Sequence, residues 1–149
     1  MESESDAEYA ARAEEFRRDQ VAEEQAQYFE FRINREDRLW ATSERVFIAR
    51  MVNTNKDKVR ARGSFKITVT LQPTQWLKGE GPNTRFKLKP IDYNSCNYPG
   101  NGAAIRGDIG ELFLIFADPG RLGTRRVKYT LRLEDVVSDQ SKSALGKPD

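Results

Sequence analysis

Few side chains in this sequence are equipped for chemistry. Cys96 is the single thiol, and no histidine occurs among the 149 residues. That absence removes the commonest general base, the commonest metal ligand and the usual partner of a nucleophilic serine or cysteine. A reactive thiolate needs a neighbouring cation or base to lower its pKa. Arg106 supplies positive charge, but no imidazole is there to relay a proton, so Cys96 reads as a buried or half-buried side chain. One cysteine also forms neither an internal disulfide nor a zinc-thiolate set. Asp92, Asp108, Glu111 and Asp118 flank an apolar run at 112–117, where carboxylates can act as an acid/base pair or as oxygen ligands. Their spacing matches no calcium loop, and the sequence favours solvated loop charges. Gly100, Gly102 and Gly107 imitate a phosphate loop only superficially: a dinucleotide fingerprint needs glycine at 105, where Ile105 stands, and then a helix rather than a strand. We therefore assign no catalytic residue, metal ligand or cofactor, and expect a protein that is not an enzyme.

Cations form the more productive pattern. Lys66, Arg85, Lys87, Lys89, Lys128 and Arg132 alternate with apolar residues along three expected strands, on the wet side of each. If those strands are neighbours, the cations make a basic sheet face. A small barrel binds single-stranded nucleic acid or another polyanion by combining such charges with stacking aromatics, and Trp76, Tyr93 and Tyr98 stand near enough in sequence to serve. The plainer reading is that strand lysines keep a sheet soluble and protect its edges. Charge is also divided along the chain. Residues 1–44 carry 6 Lys and Arg against 13 Asp and Glu, whereas residues 45–133 carry 17 against 6. A basic middle behind an acidic extension fits an anionic partner, or an acidic segment that lies on the middle.

These groups need elements to position them. Residues 6–31 lack Pro and Gly and are rich in Ala, Glu, Gln and Arg, which predicts a helix with Asp6 at its start and Glu8 in its first turn. Tyr9, Ala13, Phe16, Gln20, Glu24, Tyr28 and Phe31 follow one face, aromatic at both ends and polar between. Phe29, Phe31, Ile33, Leu39 and Trp40 are read as the anchor that fastens the helix to a core. The run 112–117, LFLIFA, has no polar residue, so it must be covered on both faces and is taken as the centre of a β-core. Around it we expect strands at 45–52, 65–71, 84–88 and 127–133. A polar loop is placed at 53–58, Pro73 ends or bulges the second strand, and Val127, Tyr129, Leu131 and Leu133 share the inward side. Five strands with short polar turns indicate a small barrel. The expected division is a helix with its anchor at 1–40, a barrel at 41–137 and a flexible tail at 138–149.

The succession Val46-Phe47-Ile48-Ala49-Arg50-Met51-Val52, Trp76-Leu77-Lys78-Gly79, Ser95-Cys96-Asn97, Gly110 and 112–117 resembles the netrin-like, TIMP-like domains of bacteria, over about residues 45–120. The resemblance implies a five-stranded OB-like barrel and a periplasmic or secreted location; with the helix read from composition at the N-terminus, the expected fold is mainly β with an N-terminal α-helix. The inhibitors of that family place an N-terminal cysteine on a protease zinc and hold it with disulfides. This chain has no cysteine near its start, so metalloprotease inhibition is not implied. No apolar run approaches the ~18 residues of a membrane helix, and the acidic start has neither region of a signal peptide. The expected function is a non-enzymatic binding domain for a protein partner, or for self-association through the helix. The alternative is a polyanion-binding module that uses the basic face.

Overall fold

The computed structural model describes residues 5–58, 65–89 and 102–146. A helix, α1 (Asp6–Thr42), is followed by β1 (Arg45–Lys58), β2 (Phe65–Lys78), β3 (Phe86–Leu88), the single turn α2 (Gly102–Ile105), β4 (Leu112–Ala117) and β5 (Val127–Arg132). A 3-10 turn at Leu133–Asp135 and α3 (Asp139–Ala144) complete the order. The strands make one antiparallel sheet, β3-β2-β1-β4-β5, curled into a half-barrel.

β4 is the hub, and it is covered on both faces as its composition demands. Phe113, Ile115 and Ala117 enter the inner core with Phe47, Ala49, Met51, Val69, Leu71, Phe86, Leu88, Val127 and Ala104 of α2. Leu114 and Phe116 face the other way, into an outer cluster with Val46, Ile48, Leu131, Val136 and Trp40. Each buried large apolar side chain contributes about 1.5–3 kcal/mol, so this two-sided strand carries much of the stability.

Irregularities in register shape the sheet. Opposite Ile48 and Ala49, β2 carries an extra residue, Thr74, whose hydroxyl donates to Ile48 O at 3.1 Å. Pro73 thus bulges the strand, which continues to Lys78, and it lies beyond the Val69–Leu71 stretch that pairs with β3. The segment 53–58, expected as a loop, is strand, and β3 is shorter than expected. β5 carries the most consequential bulge. Ala117 pairs with Val127 but Phe116 pairs with Tyr129, leaving Lys128 extra. The shared inward face expected for Val127, Tyr129 and Leu131 is therefore wrong: Val127 joins the inner core, Tyr129 and Leu131 the outer cluster, and Leu133 opens the 3-10 turn. Thr130 comes to the inner side, where its hydroxyl accepts from Ala104 N at 3.2 Å.

α1 runs eleven residues further than the composition alone predicted, because nothing between Asp6 and Thr42 breaks it. Ser5, not Asp6, is the N-cap, accepting from Glu8 N at 3.2 Å. The helix is about 55 Å long at 1.5 Å per residue, and it does not lie across the barrel. Residues 5–31 are exposed apart from the half-buried Ala13, and only the last three turns dock. Of the expected anchors, Trp40 is buried and Ile33 and Leu39 half-buried, whereas Phe29 and Phe31 stay in solvent. Trp40 meets the Phe116 ring edge-on at 5.9 Å.

A buried carboxylate makes the joint. Glu36, 1% exposed, accepts from Val137 N at 2.9 Å, Ser138 N at 2.8 Å and the Ser141 hydroxyl at 3.1 Å. Ser141 Oγ also accepts from the Trp40 indole N–H at 2.8 Å and the Ser138 hydroxyl at 2.9 Å. The segment expected as a tail from 138 is thus folded into α3 as far as Ala144, with Ser138 and Ser141 buried. Glu36→Ala strands two amide donors and a hydroxyl, which predicts a loss of about 2–4 kcal/mol. Glu36→Gln, which keeps one acceptor, loses roughly half of that. Urea midpoints of the two variants against the parent chain check both numbers.

Candidate functional site

The six cations read from the strands do not form one face. β3 lies at one edge of the sheet and β5 at the other, with three strands between them. Lys128 and Arg132 on β5 are half-buried and engaged: Lys128 Nζ lies 3.9 Å from Asp118 and donates to Thr42 Oγ1 at 3.0 Å, and Arg132 lies 3.5 Å from Glu111 and 4.0 Å from Glu134. They act as ties. Lys66 lies in β2 opposite Asp57, while Arg85, Lys87 and Lys89 follow the β3 edge, all three exposed.

The aromatic half of the expected site is also absent from that edge. Trp76 is half-buried, with its ring 4.4 Å from Phe47. Gly81 packs flat on the indole: a Cβ there would fall 2.3 Å from the ring. The ring is thus a packing element and presents no open stacking face. Tyr93, Tyr98, Cys96 and Asp92 lie outside the described residues. Glu111 is committed to structure, accepting from Asp108 N at 3.0 Å while it pairs with Arg132. Among the described residues no group of three or more His, Cys, Asp or Glu is placed to hold a metal, and no helix is long and apolar enough to cross a membrane.

The sheet's curl assembles a different cluster. The turn between β4 and β5 swings beside the β3 edge, where Lys89 N donates to Thr124 Oγ1 at 3.1 Å. A Cβ on Gly123 would lie 4.0 Å from Lys87 O. The turn carries Arg121, Arg125 and Arg126, all exposed and without an ion pair among the described residues. Together with Lys87 and Lys89 they form a basic seam along the join. In sequence, 81–90 and 119–133 hold no carboxylate, and Asp118, at the start of the turn, lies 3.9 Å from Lys128. Sequence reasoning missed these arginines because it followed strand alternation, in which turn residues have no place. Their signal was the RLGTRR string itself.

The turn is rigidly held. Arg45, buried at the start of β1, donates through Nη2 to Asp118 O at 2.5 Å and Gly120 O at 2.7 Å. Burial lowers its pKa, the like charge of Arg126 lowers it further, and Asp118 opposes both. Asp118 N donates to Arg126 O at 2.8 Å, and Arg126 N and Val127 N both donate to Gly123 O. Leu122 packs against the inner core. At the other side of the seam, Arg85 Nε donates to Gln72 Oε1 at 3.3 Å, and the Gln72 amide donates to Asn83 O. Three exposed arginines thus stand on a hydrogen-bonded turn, with the Arg126 guanidinium lying over Gly120, and their planar forks match carboxylate or phosphate oxygens in geometry and charge.

Compared with known proteins, the chain matches no family model and no curated relative.

Arg45→Met removes the donors that fix the turn, and a loss of about 2–3 kcal/mol is expected. Lys128→Ala and Arg132→Ala, at half-exposed pairs, cost less than about 1 kcal/mol each. Chemical denaturation of the three variants distinguishes the buried clamp from the surface ties.

Proposed function

We propose that this chain is a non-enzymatic binding domain of netrin/TIMP-like, OB-like build, which takes an acidic protein segment on the seam between β3 and the β4–β5 turn. The observation that carries this reading is the seam: Arg121, Arg125 and Arg126 on a clamped turn beside Lys87 and Lys89. Arginine forks match carboxylates in geometry as well as charge, and a turn held by Arg45 spends little ordering entropy on binding. The OB-like build is supported by the strand order, by α2 lying between β3 and β4 in sequence, and by the turn's approach to β3. The family likeness finds support in two of its motif pieces. Val46 and Phe47 are buried on opposite faces of β1, and Gly79 after the Trp76-Leu77-Lys78 run takes φ +70°, where a Cβ would fall 2.7 Å from Glu44 O.

A second reading, a module for single-stranded nucleic acid, draws on the same seam, because OB-type barrels take oligonucleotides on this strand and this turn. The packed Trp76 ring weighs against it, since such sites combine cations with exposed stacking rings.

Binding to poly-L-glutamate and to an oligothymidylate of equal charge, measured across a salt series, separates the two. Poly-glutamate binding is expected to weaken at least about tenfold in the Arg121→Ala/Arg125→Ala/Arg126→Ala variant and to fall steeply with salt. Unchanged binding by that variant would remove the seam from the function. An oligothymidylate bound more than about tenfold tighter than poly-glutamate would transfer the site to nucleic acid.

A further inference from the structure

The seam has a natural occupant within the same sequence. Between residues 5 and 31, α1 carries eight Asp and Glu against three Arg, and every residue of this stretch but the half-buried Ala13 is exposed. The same stretch exposes Tyr9 at 67%, Phe16 at 64% and Tyr28 at 62%. An acidic rod studded with aromatic rings complements a row of arginines twice over, by charge and by stacking of guanidinium planes on rings.

Within one chain that meeting does not happen. α1 is continuous to Thr42 with no Pro or Gly at which to turn back, and its last turns are fixed by Glu36 and Trp40. The free portion, about 39 Å at 1.5 Å per residue, therefore projects away from its own barrel. Resting on the reading of the seam as an anion site, we infer that the acidic arm of α1 docks on the basic seam of a second copy of this chain. The smallest closed arrangement is a reciprocal dimer in which each copy gives an arm and receives one.

A charge exchange tests this on the full chain. One variant reverses the seam (Arg121→Glu, Arg125→Glu, Arg126→Glu), and another reverses the arm (Glu15→Lys, Asp19→Lys, Glu23→Lys, Glu30→Lys). All seven positions are exposed, and circular dichroism and urea midpoints verify that both variants fold. Sedimentation equilibrium of the parent chain at low salt is expected to show a dimer that dissociates as salt rises or as poly-L-glutamate is added. Each variant alone is expected to be monomeric, with self-association weakened at least about tenfold. Mixed together, the two are expected to recover association as a one-to-one complex, since each then offers what the other lacks.

A parent chain that stays monomeric at low salt overturns the inference, and so does a seam-reversed variant that dimerises as tightly as the parent. If that monomeric chain still binds poly-glutamate through its arginines, the anion-binding reading stands without the self-docking. If it does not bind, both fall.

Discussion

The attachment of α1 and the C-terminal segment to the sheet depends on Glu36. One carboxylate, out of water, accepts hydrogen bonds from two successive amides and a hydroxyl of the C-terminal segment. A charge placed there without those donors would be prohibitively costly, so helix end and C-terminal segment are interdependent. That one joint has two effects. It lays Leu39 and Trp40, with Val136 and Leu145, over the outer face of β4, which otherwise would expose Leu114 and Phe116. It also sets the direction in which the remaining turns of α1 leave the barrel. Arg35, stacked on the Tyr129 ring at 4.9 Å, and Arg32, bonded to Asp135 O at 2.7 Å, reinforce the same direction from the flank.

Most of the sheet was legible in the sequence, since unbroken apolarity at 112–117 requires cover on both faces and alternation at 86–88 requires one. What sequence could not supply was register. Lys128 looks like any outward strand residue in VKYTLRL, yet the extra residue it introduces reverses the facing of Tyr129, Thr130 and Leu131 relative to Val127. A period-two pattern carries no mark of a one-residue bulge, because the residues on either side keep alternating. The end of α1 was hidden for a related reason. Residues 29–40 mix aromatic and charged residues in a manner that suits an irregular anchor, and only the buried partners of Glu36 show why a helix persists there.

The candidate site was legible as charge and illegible as geometry. A basic middle and an acidic extension are visible from counting residues, but which cations stand together depends on curl. Three of the six strand cations follow the β3 edge, two are tied to carboxylates on the far edge, and the arginines of the turn replace those two. Sequence reading weighs turn residues by their backbone roles. Their neighbours' side chains therefore enter no pattern until a strand from the other edge is seen beside them.

Stiffness decides what this division of charge can do. Had the acidic stretch been joined to the barrel by a flexible linker, its effective concentration at the seam would be on the order of millimolar, and its own chain would compete with any other occupant. A continuous helix clamped at its base by Glu36 has no such freedom, and its residues from 14 to 31 are all exposed. Any neutralisation of the seam then becomes a second-order event, governed by protein concentration and ionic strength. If the arm docks on a second copy, such a domain keeps its basic surface open when dilute and covers it when concentrated, with no part of the fold having to move.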